Sequence, residues 1–351
     1  MIKTKTKTAE LNDRIASFVN IGELISKYLS ELDNEWTIKL KLKISEATDK
    51  NPWFTKKNID FALRYWSKQL TKEKLELWIS KYDITNKKPE TIAVVMAGNF
   101  PLAGFHDLLC VLITGNRLLI KFSNKDDILI RFLIEYLLYT NPTFNKKITI
   151  KESIIKDFNR VIATGSNNTS KYFEYYFKNK RSIIRKNRFS IAILSGKESK
   201  ANLEKLGDDI FTFFGLGCRN VSKLFVPKNY SFDLFFNSIY KWKNTIDNHK
   251  YASNYNYNKA INLMDRQSIL ENGFIILKES KNNHSPISVL SYEYYDNIDD
   301  LKSKIKTLKD NLQCIVSEDL YKNEIGFGQT QNPELYDYAD NVDTINFLLT
   351  K

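Results

Sequence analysis

Apolar positions change their spacing once along the chain, near residue 90. Before it they recur at helical spacing. Leu11, Ile15, Phe18, Ile21, Leu24, Ile25 and Leu29 form one stripe, and Phe61, Ala62, Tyr65, Leu70, Leu75, Leu77 and Trp78 continue the pattern. This predicts helices from residue 8 to about 82. A connector is expected over 83–90, where Asn86, Lys87, Lys88 and Pro89 fall. Thr91 to Ala97 is then a continuous apolar run, as in a strand buried on both faces. Gly98-Asn99-Phe100-Pro101 breaks it, and a helix pattern follows to about Thr114. Further strands are expected at 116–122 and 160–164, with helices over 126–139 and 168–177. The second half predicts strands at 190–195, 221–226, 273–278, 287–292 and 311–316, and helices near 199–213, 231–245 and 298–308. Repeated strand–helix alternation means βαβ units and doubly wound sheets, an α/β fold.

Composition narrows the class of protein. The chain has 351 residues, 42% hydrophobic and 27% charged, enough for two domains with cores of their own. No apolar run reaches the roughly 18 residues of a membrane span. Met1 to Leu11 is lysine-rich and has no apolar h-region, so no secretory signal is expected there. Three cysteines without paired spacing argue against a disulfide framework and for a reducing, cytoplasmic setting. The formal charge of +12 raises the question of nucleic acid. The lysines are spread along the chain, however, and no zinc-finger, RNP or GXXG motif accompanies them. A specific nucleic-acid partner is therefore not expected. The excess charge suits anionic small molecules such as nucleotides or CoA.

Candidate chemistry centres on Cys218. It sits in Phe213-Phe-Gly-Leu-Gly-Cys-Arg-Asn-Val-Ser-Lys223, between a helical stretch and a strand-like run. Gly215 and Gly217 let other groups approach, and Arg219 and Lys223 would favour a thiolate. A nucleophilic thiol is displayed in this way. Cys110 and Cys314 lie in apolar runs and are expected in the core. The histidines, His106, His249 and His284, are too scattered to suggest a metal site. His106 is expected either packed or at the surface, or at the mouth of a site. Two further features fall on strand–helix turns: Asn99 before Phe100-Pro101, and Gly165-Ser166.

Asn99-Phe-Pro, the Gly165-Ser166 turn and the late Cys218 together resemble the aldehyde dehydrogenase superfamily. Within it the chain is more similar to the LuxC-like acyl-CoA reductases, through Ala97 to Asp107, Ile120 to Asp126, Ala163 to Thr169 and Gly215 to Lys223. The resemblance spans about residues 90–345. It implies an aldehyde-dehydrogenase-like fold of two doubly wound α/β domains behind an N-terminal helical segment. The expected boundaries are 1–189 for the helices plus the dinucleotide-binding domain and 190–335 for the cysteine domain. Residues 336–351 would be a tail returning to the first domain.

The resemblance also implies roles. Cys218 would be the nucleophile, and the Asn99 amide, with the Cys218 N–H, would hold the oxyanion. Lys121 would reach the adenosine ribose. Ser123 and Lys125 would suit a 2′-phosphate and so favour NADPH over NADH. Gly165 and Ser166, opening a helix, would receive the pyrophosphate. Hydrolytic relatives carry a Glu-Leu-Gly-Gly segment whose glutamate activates water. The corresponding stretch here, Ile183-Ile-Arg-Lys-Asn-Arg-Phe-Ser-Ile191, holds no carboxylate. A second family glutamate, at the nicotinamide ribose, is missing from Asn282-Asn-His-Ser-Pro-Ile287. These departures predict an NAD(P)H-dependent reductase of acyl-CoA, or of an acyl group carried by a donor protein, acting alone, as a homo-oligomer or in an acyl-transfer complex. A CoA-acylating dehydrogenase of a small aldehyde and a non-catalytic binding subunit are the alternatives.

Overall fold

The computed structural model describes residues 2–84 and 88–350, with side chains from Ala9 onward; residues 85–87 of the expected connector lie outside the described residues. The chain divides into two units, Met1–Lys186 with Glu334–Lys351, and Asn187–Pro333.

The first unit opens with four helices, α1 (Ile2–Leu29), α2 (Glu35–Lys50), α3 (Lys56–Gln69) and α4 (Lys72–Ile79). Polar side chains start them. Asn34 accepts the N–H groups of Trp36 and Thr37, and Thr55 and Thr71 cap α3 and α4. Their apolar stripes bury Phe18, Ile21, Ile25, Ile59, Leu63 and Trp78. The α/β part follows as β1 (Thr91–Val95), α5 (Phe105–Ile113), β2 (Arg117–Lys121), α6 (Ile128–Thr140), β3 (Ile148–Ile150), β4 (Arg160–Thr164), α7 (Asn167–Tyr176) and β5 (Arg181–Arg185). The five strands form one sheet in the order β3-β2-β1-β4-β5, and every pairing is parallel. That explains why the middle residues of β1, β2 and β4 are all apolar, Ile92 to Val94, Leu118 to Ile120 and Val161 to Ala163, and buried on both faces. β3 and β5 were not expected from the sequence. Both are edge strands, and Arg181-Ser-Ile-Ile-Arg185 has two apolar residues between charged ends.

The last segment of the chain is laced into this unit by polar bonds. The Trp78 indole donates to the Tyr338 hydroxyl at 2.8 Å, and the Tyr82 hydroxyl donates to Asp343 at 2.9 Å. The Arg185 guanidinium reaches Asp107 at 2.5 Å and Thr344, at the start of the C-terminal helix Thr344–Leu349, at 3.1 Å. Both members of that ion pair are more than nine-tenths buried. Burial alone would lower the Arg185 pKa, but the Asp107 charge and hydrogen bond outweigh it and the net shift is upward.

The second unit runs β6 (Phe189–Ile193), α8 (Lys200–Phe211), β7 (Val221–Pro227), α9 (Asp233–Ile239), α10 (His249–Met264), β8 (Ile269–Glu271), β9 (Ile276–Glu279), β10 (Val289–Tyr295), α11 (Ile298–Leu308) and β11 (Leu312–Val316). The sheet order is β11-β6-β7-β10-β9-β8. All pairings are parallel except β8 with β9. The expected helix over 231–245 is shorter, because a 3-10 stretch, Tyr240–Asp247, follows α9. α10 escaped the sequence reading. Its buried positions include Asn258 and Asn262, whose amides donate to main-chain carbonyls, so its inner face does not read as apolar.

Removing one partner of a buried ion pair strands the other. Asp107→Ala should lower unfolding stability by about 3–5 kcal/mol, read as a shift of the urea midpoint. A midpoint unchanged from wild type would show that the pair is solvated.

Candidate active site

In the first unit, the chain lays β2 and β3 to one side of β1 and then returns to place β4 on the other. Strand order therefore reverses between β1 and β4. In open α/β sheets, ligands bind in the crevice beyond the carboxyl ends of the strands at such a point. The residues picked out in the sequence fall on that edge. β1 ends at Val95 and leads into Gly98-Asn99, β4 ends at Thr164 and leads into Gly165-Ser166, and β2 ends at Lys121 itself.

Each turn is locally determined. Gly98 lacks a side chain because there is no room for one: a Cβ there would lie 2.6 Å from the Ser123 Cβ and 3.2 Å from the Asp126 Cβ. The turn after β1 and the turn after β2 are thus pressed together, and Asn99, partly exposed, follows directly. The Ser123 hydroxyl accepts the Lys125 N–H at 3.3 Å, so its oxygen shapes the turn; its hydroxyl proton is still able to reach a ligand. The Lys121 ammonium has no ion pair or hydrogen bond among the described residues. Ser166 is the N-cap of α7: its hydroxyl accepts the Thr169 N–H at 3.2 Å. Gly165 packs closely on Thr169 and Phe173. The first N–H groups of α7 and the positive end of its dipole lie at the carboxyl edge of β4.

Two residues of this region were not picked out by sequence. Leu102 holds a left-handed backbone at φ 62°, which costs a non-glycine residue about 1–2 kcal/mol. Asp126 is 2% exposed, and its carboxyl oxygens face the backbone N–H groups of Leu102 and Ala103 without a well-formed hydrogen bond among the described residues. Burial pushes its pKa up to about 8; the backbone N–H groups of Leu102 and Ala103 pull it down, and Asp127 adds to the rise. One acidic residue in a turn gives no sequence signal of burial. His106 is packed rather than site-lining. It stacks between Trp66 and Trp78, its Nε2 donates to the Leu335 carbonyl at 3.0 Å, and burial lowers its pKa.

In the second unit, Cys218 is partly exposed, whereas Cys110 and Cys314 are buried. Burial raises the Cys110 thiol well above its ordinary value. Cys218 lies in the loop from α8 to β7, and this loop is strained. Phe213, Phe214 and Gly215 are left-handed in succession, at φ 55°, 58° and 74°. Polar clamps hold it. The Asn220 side chain accepts the Gly217 N–H at 2.9 Å and donates to the Thr212 carbonyl at 2.8 Å and the Asp209 carbonyl at 3.0 Å. The Ser190 hydroxyl donates to the Cys218 carbonyl at 2.9 Å and accepts the Cys314 N–H at 3.1 Å. Buried Asp209 accepts Gly328 N–H at 2.6 Å and Thr330 N–H at 3.0 Å; burial raises its pKa to about 6 against these bonds. Arg219 donates through Nε to the Thr330 carbonyl. Lys223 corrects the sequence reading. It is 1% exposed and committed to Glu293 at 2.8 Å, so its charge is neutralised within the sheet rather than offered to the thiol.

Solved structures similar to this chain show its fold. An indole-3-acetaldehyde dehydrogenase, solved with NAD+, matches with a TM-score of 0.63 at 16% identity, over 87% of this chain and 71% of that one. An aldehyde dehydrogenase from Bacillus cereus matches with a TM-score of 0.62 at 12% identity, over 89% and 72%. Aldehyde dehydrogenase 21 from Physcomitrella patens, in complex with succinate, matches with a TM-score of 0.59 at 13% identity, over 91% and 77%. The fold is that of the aldehyde dehydrogenase superfamily. Residues 76–234, from α4 through the Cys218 loop into α9, match the family model of acyl-CoA reductase (LuxC). No curated protein matches the sequence. The family match and the fold together support an oxidoreductase of aldehyde-level chemistry.

The tight seat of Gly98 is open to test. Gly98→Ala should destabilise the chain by about 1–3 kcal/mol, seen as a lower Tm, and Ser123→Gly in the same chain should restore it. An unchanged Tm for Gly98→Ala would show that the two turns are not pressed together.

Proposed function

We propose that the chain is an NAD(P)H-dependent acyl-thioester reductase that converts an acyl-CoA, or an acyl group delivered by a partner protein, to the aldehyde. The observation that carries this reading over a hydrolytic dehydrogenase is the chemistry of residues 183–191. The charged groups there are Arg185, Lys186 and Arg188, and Arg185 is taken up by Asp107. No carboxylate in that stretch is available to activate water, so an acyl group on the cysteine has to leave by reduction or by transfer to another thiol.

The residues of the β1–β4 edge fit a dinucleotide. Its donors are one uncommitted ammonium, Lys121, the N-terminus of α7, and the Ser123 hydroxyl proton. This is the chemistry of a phosphate-and-ribose site; Ser123 with exposed Lys125 would suit a 2′-phosphate and so favour NADPH over NADH. The bound nicotinamide supplies hydride to the acyl carbon. Cys218 attacks the thioester carbonyl, forming the Cys–S–acyl bond and expelling CoA as its thiolate. Asn99 donates its amide to the oxygen that gains charge at each tetrahedral stage, without titrating. After reduction, collapse of the hemithioacetal breaks the C–S bond, releases aldehyde and returns the Cys218 thiolate. The strained, clamped loop holds the sulfur in one position through both steps.

A screen of acyl-CoAs from about two to sixteen carbons for NADPH oxidation tests the reading. Cys218→Ala should abolish turnover, while Cys110→Ala and Cys314→Ala should keep it apart from stability losses. Turnover surviving in Cys218→Ala would sink the assignment. Lys121→Ala should raise the cofactor KM by about ten- to a hundredfold, from about 1.5–3 kcal/mol for a charge-assisted contact, with little change in the acyl-CoA KM. An unchanged cofactor KM would remove Lys121 from the site.

A further inference from the structure

Asp126 is a buried carboxyl that the proposed reaction does not use. It lies where the turn after β2 meets the turn after β1. Its own N–H donates to the Ser123 carbonyl at 3.1 Å, fixing its place beside Ser123, and its Cβ lies against Gly98. Its carboxyl faces the main chain of Leu102 and Ala103, in the segment joining Asn99 to α5. That segment needs holding: Leu102 is left-handed, and Gly104 at the N-cap of α5 brings no side-chain cap. Asp126 therefore touches the Asn99 loop on both sides of the asparagine, at Gly98 before it and at Leu102-Ala103 after it.

We propose that Asp126 is a positioning residue that sets the Asn99 loop against the turn after β2, and so aims the Asn99 amide. This rests on the reading of Asn99 as the oxyanion donor. The form that fits the seat is the neutral acid, because the cost of burying a carboxylate there outweighs what the Leu102 and Ala103 N–H groups give back. The surroundings supply no cation to offset it. Residues 91–104, which carry β1 and the turn beyond it, include no charged or titratable group. On its own turn stand Lys121, exposed Lys125 and Asp127, and Asp127 is paired with Lys50 of α2 and Arg131 of α6. His106 and Asp107 follow in α5, the first packed between tryptophans and the second paired with Arg185.

The sign of the pH effect follows. A carboxyl whose folded pKa stands near 8 binds its proton more tightly in the folded than in the unfolded chain. Its contribution to stability is largest in acid and is lost as pH rises from about 4 toward about 8. Ionisation should loosen the turn and mis-aim Asn99, giving an alkaline fall in kcat. A thiolate nucleophile alone would give a rise.

The test compares wild type with Asp126→Asn, which keeps the shape without the charge, and with Asp126→Ala. Wild-type kcat for acyl-CoA-dependent NADPH oxidation should fall above about pH 8. Asp126→Asn should stay within about two-fold of wild type near pH 7 and hold its rate to about pH 9. Asp126→Ala should lose about ten-fold or more in kcat with a smaller change in cofactor KM. Between about pH 6 and about pH 9 the wild-type Tm should fall more than that of Asp126→Asn. An alkaline limb retained in Asp126→Asn, or the same Tm profile for both proteins, overturns the proposal. If no acyl-CoA makes the wild type oxidise NADPH, the reductase reading falls and Asp126's part in catalysis falls with it. The Tm comparison then decides alone whether the carboxyl holds the turn.

Discussion

A parallel sheet that reverses its strand order cannot close the gap beyond the carboxyl ends at the reversal, and the chemistry assigned to this chain depends on that gap. Between β1 and β4 the outgoing segments diverge, one toward α5 and one toward α7. Asn99 follows the first strand, Gly165-Ser166 the second, and Lys121 ends the neighbouring β2. The parallel topology thus collects an amide, an ammonium and a helix N-terminus along one edge from a stretch that runs from Asn99 through Lys121 to Ser166. The packing of Gly98 on Ser123 narrows the freedom of the first turn.

The cysteine is held by a different device. Two phenylalanines and a glycine in succession are left-handed, and the Asn220 amide and the Ser190 hydroxyl tie down the loop around them. Side chains other than Cys218 thus hold the main chain that carries it. Strain held by buried hydrogen bonds suits the proposed role of Cys218, which would have to keep one position through two chemical steps.

The fold class was legible because the central strands are buried on both faces and so read as apolar through their middle residues, as Ile92 to Val94 and Val161 to Ala163 do. The edge strand Arg181–Arg185 was not, since only two apolar residues, Ile183 and Ile184, separate its polar and charged ends. α10 was hidden for another reason: asparagines fill its inner face and satisfy the main chain. Cys218, Asn99, Lys121, Ser123, Gly165 and Ser166 were nameable through motif order, and the structure places each on a turn, a strand end or a helix cap. The residues that support them were silent. Asp126 is marked by its burial, and Asp209 and Asn220 by burial and hydrogen bonds to the main chain of other segments, and none of this is written in local sequence. Lys223 shows the converse. It looked like a cation for the thiol, but strand alternation turned it inward to Glu293.

The central claim is that an acyl group on Cys218 is protected from water and open to hydride. It is tested most directly by a single turnover without reductant. The enzyme is acylated with labelled acyl-CoA, free acyl-CoA is removed, and the fate of the label is followed. A reductase without a general base should keep the thioester against water and discharge it quickly to aldehyde when NADPH is added, or back to acyl-CoA with free CoA; a positioned base is worth about 10²–10⁴-fold, and that is the margin expected between the two rates. Free acid released as fast as NADPH discharges the enzyme would contradict the account and make the chain a hydrolytic dehydrogenase or a thioesterase.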